Sequence, residues 1–212
     1  MTKEDRQNAI LDQLLTQESV LVSDLATSLD VSLVTIRKDL TELEKAGKLY
    51  RSHGKAILIN PFTNNRSVNE KEKLKAEEKQ LIGAEAVKLL AKDDSIILAS
   101  GTTIHALACN IRPEGRLTIV SASLQATMTL AANDNIDIIQ LGGMVRHSSV
   151  SVVGQYSMEI LRGCSFTKLF LGVDGIDLDF GISTTDMREA ELNRSMMNAA
   201  QKTIVLADSS KF

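Results

Sequence analysis

Between residues 96 and 207 five short apolar runs recur, each set off from the next by a stretch of different character: Ile96-Ile97-Leu98-Ala99, Leu117-Thr118-Ile119-Val120, Ile136 to Leu141, Lys168 to Val173, and Thr203 to Ala207. Runs of this length carry apolar residues on both faces, and helical spacing follows several of them, as in Thr103 to Ile111 and Leu124 to Ala132. That alternation predicts a mainly parallel sheet with helices on both faces, an α/β domain. Ligands in such sheets bind beyond the carboxyl ends of the strands.

Those ends hold small and polar residues. Ser100-Gly101-Thr102-Thr103 follows the first run and opens a helix, which gathers free N–H groups, hydroxyls and the positive end of a helix dipole around one point. The geometry suits a phosphate. Ser121 and Ser123 follow the second run, Gly142 and Gly143 with Arg146 the third, and Asp174 the fourth, while Lys211 follows the fifth. Small residues admit a ligand, and hydroxyls, cations and carboxylates hold its polar groups. Each signal is weak alone, because a glycine after a strand is usually a turn former.

The first sixty residues have another pattern. Thr2 and Asp5 have the spacing of a capping box, and Ala9, Ile10, Leu14 and Leu15 share one face of a helix ending near Thr16. Ser23 is expected to cap a second helix through Leu29, and Ser32 a third whose apolar positions are Val34, Ile36, Leu40 and Leu43 and which Gly47 ends with a positive φ. Two β-prone segments around Ser52-His53-Gly54 then read as a wing. Three short helices and a hairpin make a small winged helix-turn-helix. Its third helix places Ser32, Val34, Thr35, Arg37 and Lys38 where base edges and phosphates are read, and the wing adds Arg51, His53 and Lys55 as phosphate contacts.

Charge is segregated accordingly. The 212 residues carry a net charge of -3, which disfavours indiscriminate polyanion binding by the whole molecule. Residues 32 to 57 hold six basic side chains against three acidic, whereas residues 1 to 31 hold two against six. With two tyrosines, five phenylalanines and no tryptophan, the chain lacks the aromatic platforms of single-strand or RNA binding. No apolar run is long enough for a membrane span, and Met1-Thr2-Lys3-Glu4-Asp5-Arg6 is not a signal peptide, so a cytoplasmic protein is expected. Cys109 and Cys164 lack metal-ligand spacing and read as reduced core residues. Asn60-Pro61-Phe62-Thr63-Asn64-Asn65 is a turn-rich break. The expected domains are therefore 1–59 and 70–212, joined by a linker at 60–69, with one long helix from Glu70 to Lys92.

Val31-Ser32-Leu33-Val34-Thr35-Ile36-Arg37-Lys38-Asp39-Leu40, with Leu43-Glu44, Gly47 and Arg51-Ser52-His53-Gly54, resembles the signature of the DeoR family of bacterial transcriptional regulators. The second half resembles that family's sensor domain through Gly101-Thr102-Thr103, Leu141-Gly142-Gly143, Gly172-Val173-Asp174-Gly175-Ile176-Asp177 and Asp208-Ser209-Ser210-Lys211-Phe212. The two matches cover nearly the whole chain. The resemblance implies a fold related to ribose-5-phosphate isomerase, glucosamine-6-phosphate deaminase and CoA transferases. It also implies a double-stranded DNA operator, a phosphorylated sugar effector with Lys211 as a phosphate or carboxylate partner, repression of carbohydrate genes relieved by that effector, and a homodimer or homotetramer. No cofactor or metal is implied.

Four departures bear on the outcome. Lys55 stands where the family usually has a second wing glycine, Lys38 where arginine is common, Ala99 where aspartate often precedes the Ser-Gly-Thr-Thr loop, and Ser121-Ala122-Ser123 where Thr-Asn-Ser is usual. The chain ends just after Lys211, where family members continue with further strand and helix, so a C-terminally shortened product with a bare sheet edge is expected. The rival reading is a sugar-phosphate isomerase or deaminase. Glu189 falls near that isomerase's general-base position, but Asp179-Phe180-Gly181 replaces its lysine-bearing turn and Gly175 the glutamate of its acidic loop. The chain is therefore expected not to be an enzyme.

Overall fold

The computed structural model describes residues 1–17, 19–58 and 68–212. The chain divides into two compact units, Met1–Asn64 and Asn65–Phe212. The expected break at 60–65 lies outside the described residues.

In the first unit α1 (Lys3–Gln17), β1 (Ser19–Leu21), α2 (Val22–Ser28) and α3 (Leu33–Lys45) precede the hairpin β2 (Leu49–Ser52) and β3 (Lys55–Leu58). Asp5 accepts from the Thr2 amide and hydroxyl, and Thr2 Oγ1 accepts from the Asp5 amide, which completes the capping box. Ser32 Oγ accepts from the Thr35 amide at 3.2 Å and caps α3. Ser23 is not a cap: α2 starts one residue earlier, after Leu21, and Ser23 Oγ donates to Asp24. Gly47 has a φ of 71°, the left-handed conformation that closes α3. The three strands pair in the order β1-β3-β2, all antiparallel, and Ser52 opposes Lys55 across the two-residue turn His53-Gly54. Both turn residues have positive φ, 49° and 77°, as a type I′ hairpin turn requires. Lys55 already belongs to the strand, so the absent second glycine leaves the turn intact. Ile10, Leu14, Leu25, Ile36, Leu40 and Leu49 are fully buried at the centre of this unit.

The second unit begins with α4 (Val68–Lys73) and α5 (Ala76–Val87), two helices where one was expected. Lys75, at a φ of 55°, breaks the helix. The buried Lys79 ammonium donates to the carbonyls of Lys71 and Leu74 where the chain leaves α4. There follow β4 (Ser95–Leu98), α6 (Thr102–Asn110), β5 (Leu117–Ser121), α7 (Leu124–Leu130), β6 (Ile136–Gln140), the hairpin β7 (Met144–Arg146) and β8 (Ser151–Val153), and α8 (Gln155–Leu161). Then come β9 (Phe166–Gly172), the hairpin β10 (Gly175–Asp177) and β11 (Gly181–Ser183), α9 (Met187–Ala199), β12 (Ala200–Leu206) and a 3₁₀ turn, Ser209–Lys211.

The five expected strands form one parallel sheet in the order β12-β9-β4-β5-β6. Both of its faces are covered, which is why the strands read as continuous apolar runs. Alternation sorts their side chains: Ile96, Leu98, Ile119 and Phe170 enter one core with Leu107 and Ile104 of α6, whereas Ile97, Val120, Leu169 and Leu171 enter another with Leu192 and Met196 of α9. The order reverses between β4 and β9, since later strands on one side are β5 and β6 and on the other β9 and β12. A crevice forms at such a reversal. The cysteines are not core residues: Cys109 is half-buried on α6, and Cys164 is exposed in the turn after α8.

Candidate functional site

Two surfaces collect the polar residues singled out above, one in each unit. On α3 the buried residues Ile36, Asp39, Leu40 and Leu43 face inward, which turns Val34, Arg37, Lys38 and Thr41 outward. The helix carries three carboxylates, and each is engaged by a partner outside the helix. Asp39, 2% exposed, accepts from Arg6 Nε at 2.5 Å and Nη2 at 3.1 Å. Glu42 pairs with Lys3 at 2.5 Å and accepts from Gln7, and the Lys3 contact leads in holding its carboxyl below the ordinary range. Glu44 accepts from the Arg51 amide, Nε and Nη2. The outward face is left with cations, a hydroxyl and hydrocarbon.

Of the expected DNA contacts, Val34, Arg37, Lys38, His53 and Lys55 are exposed. Thr35 is half-buried and its hydroxyl lies 2.9 Å from that of Ser32, so both residues serve the cap. Arg51 is exposed as well, and its guanidinium pairs with Glu44 at 2.6 Å, which ties the wing to α3.

In the second unit the crevice lies over the carboxyl ends of β4 and β9. A Cβ built on Gly172 would lie 3.0 Å from the Ser100 carbonyl oxygen, a measure of how closely the two strand-end loops approach. Gly101, at a φ of 115°, caps α6. Ser100 Oγ donates to Glu189 Oε1 at 2.6 Å, Thr184 Oγ1 donates to Glu189 Oε2 at 2.9 Å, and Arg146 Nη1 lies 3.2 Å from the same oxygen. Arg146 Nε lies 3.3 Å from Asp186, which caps α9 through the amides of Arg188 and Glu189. The Arg188 hydrogen bond, opposed by partial burial and aided by the Glu189 amide and the charge of Arg146, holds the Asp186 carboxyl at about 2.

Asp174 forms the other half of the crevice. It pairs with Lys71 at 2.6 Å and accepts from the Thr185 amide. Burial alone would raise this carboxyl, but Lys71, the Thr185 amide and the charge of Lys211 hold it below the usual value. Lys211 sits in the turn capped by Asp208, and Asp208 in turn faces Lys79. Burial lowers the Lys79 ammonium to about 8.

The structure thus brings together Ser100, Gly101, Arg146 and Asp174, with Lys211 within electrostatic reach of Asp174, and Thr102 and Thr103 open α6 beside them. Ser121 and Ser123 are corrections. Both are fully buried, Ser121 Oγ accepts from the Ser123 amide, and Ser123 Oγ caps α7 through the Ala126 amide. Gly142 and Gly143 shape the turn into β7: the Gly142 carbonyl accepts from Ser157, and a Cβ on Gly143 would lie 2.5 Å from the Val153 oxygen. Lys71, Thr184 and Asp186 were not expected here. Asp186 was legible, since Asp186 and Glu189 have capping-box spacing ahead of a helix. Lys71 was not, because a lysine within a charged run gives no sign of a partner far along the chain.

A winged helix-turn-helix in one unit and a strand-end crevice in a parallel α/β unit are the make-up of a ligand-responsive transcriptional regulator. Residues 6–62 match the DeoR-like helix-turn-helix domain and residues 74–212 the DeoR C-terminal sensor domain. The chain belongs to the DeoR family. It is 36% identical over 210 residues to a protein of Escherichia coli O157:H7 described as an aga operon transcriptional repressor, covering 98% of this chain and 78% of that one. It is 35% identical to the HTH-type transcriptional regulator YulB of Bacillus subtilis (98% and 80% covered) and 30% identical to the lactose phosphotransferase system repressor of Lactococcus lactis subsp. lactis (100% and 84%). Among solved structures, ribose 5-phosphate isomerase A of Methanocaldococcus jannaschii is similar at a TM-score of 0.46 and 18% identity, over 65% of this chain and 54% of that one. No helix among the described residues is long and apolar enough to cross a membrane.

Proposed function

We propose that this DeoR-family regulator acts in the cytoplasm as a repressor of carbohydrate genes, reading operator half-sites with α3 and releasing them when a phosphorylated sugar fills the crevice of the second unit. Residues 1–59 bind DNA, 60–69 link, and 70–212 sense. The observation that carries the reading is the outward face of α3, which keeps Arg37 and Lys38 exposed while Asp39, Glu42 and Glu44 are all held by partners elsewhere. A phosphate is favoured at the α6 N-terminus by the Gly101, Thr102 and Thr103 amides and by Lys211, and a sugar's hydroxyls would exchange with the contacts that Ser100, Arg146 and Asp174 now make with Glu189, Asp186 and Lys71. The relatives' names, an aga operon repressor and a lactose system repressor, point to the same class of genes.

The chain works as a homodimer or homotetramer, because paired half-sites call for paired recognition helices. The isomerase reading is the less favoured one: Glu189, near the expected general-base position, is engaged by Ser100, Thr184 and Arg146 together, and the similar curated proteins are regulators.

The test is a duplex selection from a random library, followed by anisotropy titration of the enriched site against a panel of sugar phosphates. The expected result is a repeated half-site whose affinity falls at least about fivefold with one sugar phosphate, a response that Lys211→Ala removes. Failure to enrich a motif would end the DNA reading. A motif indifferent to every sugar phosphate would end the effector reading.

A further inference from the structure

Val34 stands at the N-terminal end of the outward face of α3, in line with Arg37, Lys38 and Thr41, and is 76% exposed. Leu33 beside it is 44% exposed. The hydroxyls of the same turn are already engaged: Ser32 Oγ accepts from the Thr35 amide and lies 2.9 Å from Thr35 Oγ1. What the turn offers a partner is branched hydrocarbon. A lone exposed aliphatic is ordinary on any protein surface, but Val34 stands on the outward face of α3, one turn ahead of Arg37 and Lys38.

The N-terminal residues of a recognition helix meet base edges in the major groove. The feature of those edges that hydrocarbon matches is the thymine 5-methyl group, since every other group displayed there is a hydrogen-bond donor or acceptor. We propose that Val34 is a specificity-determining residue that reads a thymine methyl in each operator half-site. The inference rests on the reading of α3 as the helix that enters the groove. Arg37 and Lys38, one turn further on, supply polar contacts, so the expected half-site pairs a required thymine with neighbouring guanine or phosphate contacts.

The experiment takes the duplex enriched by selection and replaces each thymidine in turn by deoxyuridine, which removes only the methyl. The full chain is titrated as wild type, Val34→Ala and Val34→Thr. Burial of one methyl is worth about fourfold in affinity, so wild type should lose about fourfold at one thymidine per half-site. Val34→Ala, which loses both γ-methyls, should show a clearly smaller penalty for that replacement, and Val34→Thr, which exchanges one γ-methyl for a hydroxyl, should fall between the two. Because the side chain is exposed, both variants keep the fold, and an unchanged melting temperature checks this.

A site with no uridine-sensitive position, or a penalty that persists undiminished in Val34→Ala, would overturn the proposal while leaving the DNA reading in place. An unchanged uridine profile together with a changed association state of Val34→Ala would assign the patch to contacts between copies and overturn it as well. If no duplex is enriched, the underlying DNA reading falls first and this inference falls with it.

Discussion

Asp39→Ala should weaken DNA binding although Asp39 faces away from the outward surface of α3. The carboxylate is 2% exposed, its partner Arg6 13%, and two hydrogen bonds join them, from Nε at 2.5 Å and Nη2 at 3.1 Å. Removing the carboxylate leaves the Arg6 guanidinium without its partner where α1 meets α3, at a cost of about 1–3 kcal/mol. A domain of this size shifts by roughly 4–8 °C per kcal/mol, so its midpoint should fall by at least about 4 °C. The consequence reaches function because the pair joins α1 to α3. The assay is hydrogen exchange along a urea titration of the full chain, with α1 and α3 as the reporting segments and the helices of the second unit as internal reference. The double variant Arg6→Met, Asp39→Leu should recover most of the loss, since apolar replacement of a buried pair is often neutral or better. A loss below about 1 kcal/mol for Asp39→Ala, or a double variant no better than the single, would refute the reasoning.

Arg37→Ala should cost about 1–3 kcal/mol on the selected site and relax its base preference, whereas Lys55→Ala should weaken all duplexes alike and lower the salt slope by about one; anisotropy across salt concentrations on selected and random DNA separates the two. Asp186, held at about 2 against an ordinary 3.8, has a depressed folded-state value, so the stability it contributes is complete above about pH 4 and is lost as the pH falls toward 2. Acid denaturation of the second unit should therefore be less steep in that window for Asp186→Asn. Gly143→Ala forces a φ of 146° on a residue with a Cβ and drives that Cβ to 2.5 Å from the Val153 oxygen, so the second unit should lose at least about 1–3 kcal/mol of stability by thermal melting.

The sheet and the helix-turn-helix were legible because both rest on local pattern. Continuous apolar runs such as Ile96 to Ala99 gave four of the strands to within a residue or two, since burial on both faces leaves no polar position to confuse the period, whereas β12 starts three residues before the expected Thr203. The caps at Thr2 and Ser32, and the positive φ at Gly47, followed from short-range hydrogen bonding that a few residues specify by themselves. The two hairpins β7–β8 and β10–β11 escaped notice. Their strands are three residues each, too short to display alternation. The single helix expected from Glu70 to Lys92 failed because its break depends on Lys79 reaching back to two carbonyls, a tertiary event that helix propensity does not register.

Within the sites, sequence determined residue types and approximate places: cations and hydroxyls on α3, small and polar residues at strand ends, a helix opened by Ser100 to Thr103. Only the tertiary structure decided which of those groups remain available. Arg51 was paired with Glu44, Ser121 and Ser123 were claimed by their own turn and cap, and Glu189 by three donors from three segments, while Lys71 was brought to Asp174 across 103 positions of chain. The physical reason is that a side chain's chemistry is carried in its own atoms, whereas its freedom depends on every group within about 3 Å, and those neighbours are set by packing and not by order along the chain.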